Sequence, residues 1–167
     1  MKKQIQMTLP PLDGVRVLLT EPEGADGDQQ IYEMPIITPS AKATKATAKL
    51  TDQESIYQYV VDHSDRLSLR DQIALLQKAI LIEPSSPACW HALACCYERQ
   101  GKDWFAATNA WNHVIYLQPN NAVAWYSLAQ LWAARGMQAK ALECYAQYEA
   151  LEGKQKRSQG RIRRKKK

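Results

Sequence analysis

The sequence predicts an all-α protein in which three antiparallel helix pairs stack side by side as a solenoid. Residues 87–151 carry almost the same pattern of aromatic, small and turn residues twice, and a fixed period of this size is typical of stacked supersecondary units. Helix start and stop signals surround both copies, and a weaker third copy precedes them. A non-helical N-terminal extension, forming a β-hairpin or disordered, and a disordered basic C-terminal tail complete the prediction.

Composition favours one ordinary globular domain with attachments. The 167 residues are 46% hydrophobic and 23% charged, close to globular averages. The sequence has no apolar run of about 18 residues that would predict a membrane span. Residues 1–14 lack the apolar core of a secretory signal, so we expect a cytoplasmic location.

Residues 1–37 look least like the rest of the chain. Two runs rich in β-branched and apolar residues, 15–19 and 31–37, flank a segment of acids and glycines. They predict a hairpin over a long loop, or a segment that is disordered or ordered only against a helical surface. Residues 38–50 consist almost entirely of Ala, Lys, Thr, Ser and Pro, a composition typical of a linker.

The first helix pair is predicted over about residues 53–86. Thr51 followed by Glu54 fits a capping box, and apolar residues then follow at helical spacing. Ser68 with Asp71 three residues later predicts the second start.

Stronger signals bound the second and third pairs, about 87–121 and 122–153, which with the first make a domain over 51–153. Serine before proline suits a helix start, and glycine suits a helix end. The starts are at Ser86, Asp103 and Asn121, and the stops are at Gly101, Pro119, Gly136 and Gly153.

The landmarks of the two clear copies recur at 35 residues in the first helix and 34 in the second. The pairs are Trp90 and Trp125, Leu93 and Leu128, Gly101 and Gly136, Ala107 and Ala141, Trp111 and Tyr145, and Leu117 and Leu151. This pattern resembles the tetratricopeptide repeat (TPR), whose signature is W-x2-L-G-x2-Y, A-x3-F and P in about 34 residues. In the weak copy only Leu76, Ala79, Ile82 and Pro84 match well.

Large aromatic residues at these positions are expected to fill the core around small alanines. Trp104 is the exception, because it lies at the extra residue between Lys102 and Phe105 and is expected to be exposed.

The resemblance implies a concave face, lined by the first helix of each pair, that receives an extended or helical peptide. The implied partner-binding residues, called the concave face below, are Tyr57, Val61, His91, Cys95, Glu98, Arg99, Tyr126, Gln130 and Ala133. Family members that hold a C-terminal carboxylate present Lys, Arg and Asn there, so this chain favours a partly apolar peptide. Alternatively, part of this face contacts the N-terminal segment of the same chain.

Enzymatic readings lack support in the sequence, and we expect no cofactor and no metal. The seven glycines are scattered, so they form neither a phosphate-binding loop nor a dinucleotide-binding loop. His91 and Cys95 lie four residues apart and would supply only two metal ligands. The four cysteines are expected to be reduced packing residues.

The chain carries its excess positive charge at one end. Residues 154–167 hold nine of the 22 basic residues and no acid, which leaves 13 basic against 17 acidic residues, a net charge of −4, in residues 1–153. This tail predicts a solvated end, or non-specific electrostatic contact with nucleic acid, an acidic membrane surface or an acidic protein. The candidate contacts are Arg161, Arg163, Arg164, Lys165, Lys166 and Lys167.

Two functions follow as hypotheses. The first is an interaction adaptor or small chaperone, similar in size and repeat count to the chaperones of bacterial type III secretion translocators. The second is a nucleic-acid-associated or ribosome-associated factor that binds through its tail. We expect a monomer or a weak homo-oligomer.

Overall fold

The computed structural model describes the backbone of residues 15–18 and 31–165, and the side chains of residues 35–154. Two strands, β1 (Val15–Leu18) and β2 (Ile31–Met34), precede a series of helices over these residues. The helices are α1 (Ala41–Ala46), α2 (Gln53–Asp62), α3 (Leu69–Ile82), α4 (Pro87–Gln100), α5 (Trp104–Leu117), α6 (Ala122–Ala134) and α7 (Gln138–Lys165).

From α2 onward each helix packs against the next one in the chain, which makes the three pairs α2–α3, α4–α5 and α6–α7. The predicted all-α solenoid of three stacked helix pairs is confirmed. The small residues Ala94, Ala107, Ala129 and Ala141 are fully buried, which lets paired helices approach closely.

Two tryptophans tie successive pairs together. The Nε1–H of Trp90 donates to the carbonyl oxygen of Pro84 at 2.7 Å. The Nε1–H of Trp125 makes the same bond to the carbonyl of Pro119 at 2.9 Å. Each bond joins the first helix of a pair to the loop that ends the pair before it.

Local capping follows the sequence at most helix ends. The side chains of Ser68, Asp103 and Asn121 accept bonds from the backbone as predicted. Gly101 has a φ of 65°, a left-handed conformation that glycine adopts without strain.

Two predicted helix starts differ from the structure. Asp52, not Thr51, caps α2, because its carboxylate accepts the backbone N–H of Ser55. Ser86 makes no side-chain cap on α4, and its hydroxyl instead accepts a bond from Gln53 at 3.1 Å.

The N-terminal segment takes the hairpin form of the prediction. Strands β1 and β2 pair antiparallel, with Val15 opposite Met34. Residue 19 and the predicted loop lie outside the described part of the chain, as do residues 1–14, and residues 35–37 of the second predicted run are not in the strand.

The segment predicted as a linker, 38–50, contains helix α1 and packs on the solenoid. Ser40 caps α1 and also donates its backbone N–H and its hydroxyl to the two carboxylate oxygens of Asp71, at 2.6 and 3.0 Å. Ala43 and Thr47 are buried. The structure differs from the linker predicted by composition, because the small residues of this segment pack on a surface that α3 provides.

Gln77 is a buried residue of α3 whose side-chain amide bonds to the backbone just before this segment and to α4. Its Oε1 accepts the backbone N–H of Ile37 at 2.8 Å, and its Nε2 donates to the carbonyl of Pro35 and to the hydroxyl of Tyr97, each at 2.9 Å. Both polar atoms of the side chain are therefore satisfied inside the protein.

The C-terminal helix is longer than predicted. Gly153 does not end it, and α7 continues to Lys165 through most of the predicted disordered tail. This part of α7 contains two glycines, Gly153 and Gly160, each of which costs a helix only about 1 kcal/mol, and its Lys, Arg and Gln residues are good helix formers.

Replacing Gln77 by Leu should lower the free energy of unfolding by about 2–4 kcal/mol, because the Tyr97 hydroxyl and two backbone groups would lose their partner. Urea denaturation measures this change. Gln58→Leu is the control, since Gln58 is exposed and bonds only to Asp62 one turn away. Equal effects of the two substitutions would contradict the bridging role of Gln77.

A buried histidine on α5 should make stability depend on pH. His113 stacks on Trp90, with ring centroids 4.0 Å apart, and its Nε2 has no hydrogen-bond partner. Burial lowers the pKa of His113 to about 4 from an ordinary 6.5. The unfolded chain therefore binds the proton more readily, and stability is lost as the pH falls from 6.5 towards 4.

In His113→Phe this loss, about 3 kcal/mol from this group, should disappear. Unfolding free energies of both proteins at pH 7, 5.5 and 4 check the prediction. Parallel pH profiles would show that His113 does not titrate on unfolding.

Candidate functional site

The predicted concave face comes from the first helix of each pair. His91, Cys95 and Glu98 on α4 are spaced by four and three residues, so they share one side of the helix. Tyr126, Gln130 and Ala133 have the same spacing on α6.

Under the α4 part lies a buried tryptophan from α5. The Trp111 ring meets the His91 ring edge to face, with centroids 5.0 Å apart and planes at 88°. Its Nε1–H donates to Glu98 Oε1 at 2.7 Å. Cys95 Sγ lies 3.8 Å from His91 Nδ1. Trp111 therefore holds two concave-face side chains from below.

This part of the face is largely uncharged at neutral pH. Burial lowers the pKa of His91, and the nearby Glu98 opposes that shift without reversing it. Burial likewise raises the pKa of the Cys95 thiol. His91 and Cys95 thus present neutral groups, and Glu98 supplies the negative charge.

Arg99 lies at the edge of the face towards α3. Its Nη1 donates to Gln72 Oε1 at 3.4 Å. The guanidinium is thereby directed to the preceding pair, which argues against its serving as a carboxylate receptor.

The α6 part is built from tyrosines. The Tyr126 ring lies 6.0 Å from that of Tyr145 and 5.2 Å from that of Tyr148, both on α7. Gln130 Nε2 donates to the Tyr126 hydroxyl at 3.1 Å. Tyr126 and Gln130 are exposed and Ala133 is half-buried, so amide and phenol groups face the solvent here.

The two parts repeat one arrangement. His91 and Tyr126 are 35 residues apart, and their partners Trp111 and Tyr145 are 34 apart, which is the spacing of the repeat. In each case a hydrogen-bonding ring on the first helix rests against an aromatic ring on the second. We call these pairs the ring pairs.

The first pair of helices contributes less. Tyr57 is half-buried against the core, and burial raises the pKa of its hydroxyl. Val61 is exposed on the same helix. The hydrogen bonds described for residues 35–47 go to Asp71, Gln77 and the segment itself, not to the concave face.

Sequence reasoning missed part of the site. It placed Trp111 and Tyr145 in the core without seeing that they support His91 and Tyr126, and it did not select Tyr148. The spacing of 35 and 34 residues between equivalent positions is the sequence signal that could have identified the ring pairs. Trp104, expected to be exposed, is half-buried against Trp132, with centroids 5.4 Å apart.

The six basic residues predicted as tail contacts fall on both sides of the end of α7. Arg161, Arg163, Arg164 and Lys165 belong to the helix, whereas Lys166 and Lys167 lie outside the described residues. No group of three or more potential ligands for a metal ion occurs within the described part of the chain. Among the same residues, no helix combines the length and apolar character needed to cross a bilayer.

No protein-family model matches the sequence. A Schizosaccharomyces pombe protein described as an N-terminal acetyltransferase A complex subunit-like protein is 39% identical over 56 residues. That match covers 34% of this chain and only 8% of the relative.

Solved structures resemble the fold more broadly. MamA superposes with a TM-score of 0.59 at 20% identity, covering 66% of this chain and 65% of that one. The Yersinia enterocolitica type III secretion translocator chaperone SycD gives 0.56 at 12% identity, over 67% and 84% of the two chains. YrrB, a TPR protein with an unusual peptide-binding site, gives 0.55 at 17%, over 65% and 55%. The fold is TPR-like.

Proposed function

We propose that this chain is a protein-interaction adaptor or small chaperone whose concave face holds a partly apolar peptide segment of a partner. The recurring ring pairs carry the proposal. Their hydrogen-bonding rings recur one repeat apart in the sequence, a spacing that suits recognition of an extended or helical peptide.

The chemistry of the face selects the kind of peptide. The neutral imidazole of His91, the phenol of Tyr126 and the amide of Gln130 suit backbone amides and apolar side chains. Arg99 is directed to Gln72. Arg99 is the single Lys or Arg among the concave-face residues, and this bond directs it towards the preceding pair, so an internal segment fits better than a terminal carboxylate.

Similar folds support this class of function by analogy only. SycD is a translocator chaperone and YrrB has a peptide-binding site, as their descriptions state. At 12–17% identity, these structures show the fold and do not identify the binding partner of this chain.

Replacing both His91 and Tyr126 by Ala should weaken partner binding by roughly tenfold or more, because central aromatic contacts dominate most interfaces. Affinity capture with mass spectrometry would identify the partner, and calorimetry would give the affinity. Tyr116→Ala is the matched control, since Tyr116 is exposed on α5, a helix that supplies none of the predicted concave-face residues.

Circular dichroism would show whether the double variant keeps its helices. Unchanged affinity in a folded double variant would exclude the concave face as the binding site.

A second candidate function uses the tail. The nine basic residues of 154–167 follow directly on the solenoid, and α7 carries most of them as one continuous helix. We propose electrostatic, sequence-independent binding of nucleic acid as the alternative role, since neutralised phosphates release counterions.

Deleting the residues after Gly153 should abolish binding to a labelled RNA oligonucleotide, and salt should weaken the binding of the full chain steeply. Fluorescence anisotropy at 50 and 200 mM salt measures both effects. A deletion that binds RNA as tightly as the full chain would refute this alternative, and partner capture through His91 and Tyr126 would be unaffected.

A further inference from the structure

The C-terminal end of the solenoid exposes positions whose equivalents in the preceding pair are buried. Leu142 of α7 is 67% exposed, whereas Thr108, its equivalent 34 residues earlier on α5, is 5% exposed. Tyr148 is half-buried, whereas its equivalent Val114 is 0% exposed.

A covering helix accounts for this difference. Helix α5 packs against α6, the first helix of the following pair. Within the described part of the chain no helix follows α7 to take the equivalent position. Leu142, Tyr145 and Tyr148 therefore form what we call the end face, shaped to receive a helix as α5 receives α6.

The charge beside the end face indicates what covers it. Helix α7 continues for 14 residues beyond Leu151, which is about 21 Å at 1.5 Å per residue. From Lys154 onward this extension contains basic but no acidic residues. A helix that lies along α7 as α6 lies along α5 runs antiparallel to it, so its N-terminal part lies beside the basic extension.

We propose that the end face docks an amphipathic helix of a partner protein, with an apolar stripe on Leu142 and Tyr148 and acidic residues in its N-terminal part. Acids in that part pair with the extension of α7 and also suit the positive N-terminal end of their own helix dipole. The end face borders the concave face at Tyr126, which contacts Tyr145 and Tyr148, and it gives the adaptor a second interface besides the one at His91.

A synthetic peptide tests the proposal. Residues 121–135 of this chain, which contain the helix that covers α5, would be preceded by a six-glutamate extension and labelled with fluorescein. Anisotropy titration with the full-length chain should show binding. The same peptide with six lysines should bind at least tenfold more weakly because of repulsion by α7.

Leu142→Gln should weaken binding of the glutamate peptide at least fivefold without unfolding the chain, because Leu142 makes little contact within the protein. Ile82→Gln is the matched control, since Ile82 is also an exposed aliphatic residue on a second helix. His91→Ala should leave this affinity unchanged, which separates a failure here from a failure at the concave face.

Three outcomes would overturn the proposal. One is that the glutamate peptide does not bind, and another is that it binds Leu142→Gln as tightly as the original chain. The third is a dimer of the chain alone, seen by sedimentation velocity and lost in Leu142→Gln, which would assign the end face to a second copy.

Discussion

The hydrogen bond from the Trp90 indole to the Pro84 carbonyl fixes how one helix pair meets the next. Because the indole must reach back to the preceding loop, helix α4 cannot rotate about its axis without losing this bond. His91 is the next residue and is turned by 100°, so the same constraint directs its ring to Trp111. The Trp125 bond does the same for Tyr126. The interaction that builds the stack thereby also orients the candidate site.

The segment before the first helix pair and the last helix of the stack differ in how they are packed. At the N-terminal end, a segment of unremarkable composition is held by Asp71 and Gln77, which satisfy its backbone groups inside the protein. Buried polar groups of this kind stabilise a segment only when every partner is present. At the C-terminal end, Leu142 has no such cover.

Electrostatics separates the surfaces by partner chemistry. The concave face carries little net charge, because Glu98 and Arg99 have opposite signs and burial lowers the pKa of His91 and raises that of Cys95. Its binding should therefore respond weakly to salt. The extension of α7 is strongly basic, so any binding there should weaken as salt rises. Salt dependence alone thus distinguishes the two surfaces in a binding experiment.

The sequence by itself determined the helix pairs, their stacking order and most of their ends, because these depend on local signals such as Gly101 and Asp103 and on a period that repeats. It also predicted the concave face, through its resemblance to a known repeat. Only the tertiary structure decided what depends on contacts between distant residues. The packing of α1 requires Asp71, 31 residues after Ser40, and the support of His91 requires Trp111 from another helix. The exposure of the end face is likewise a tertiary property, since Leu142 is exposed whereas Thr108, its equivalent on α5, is buried.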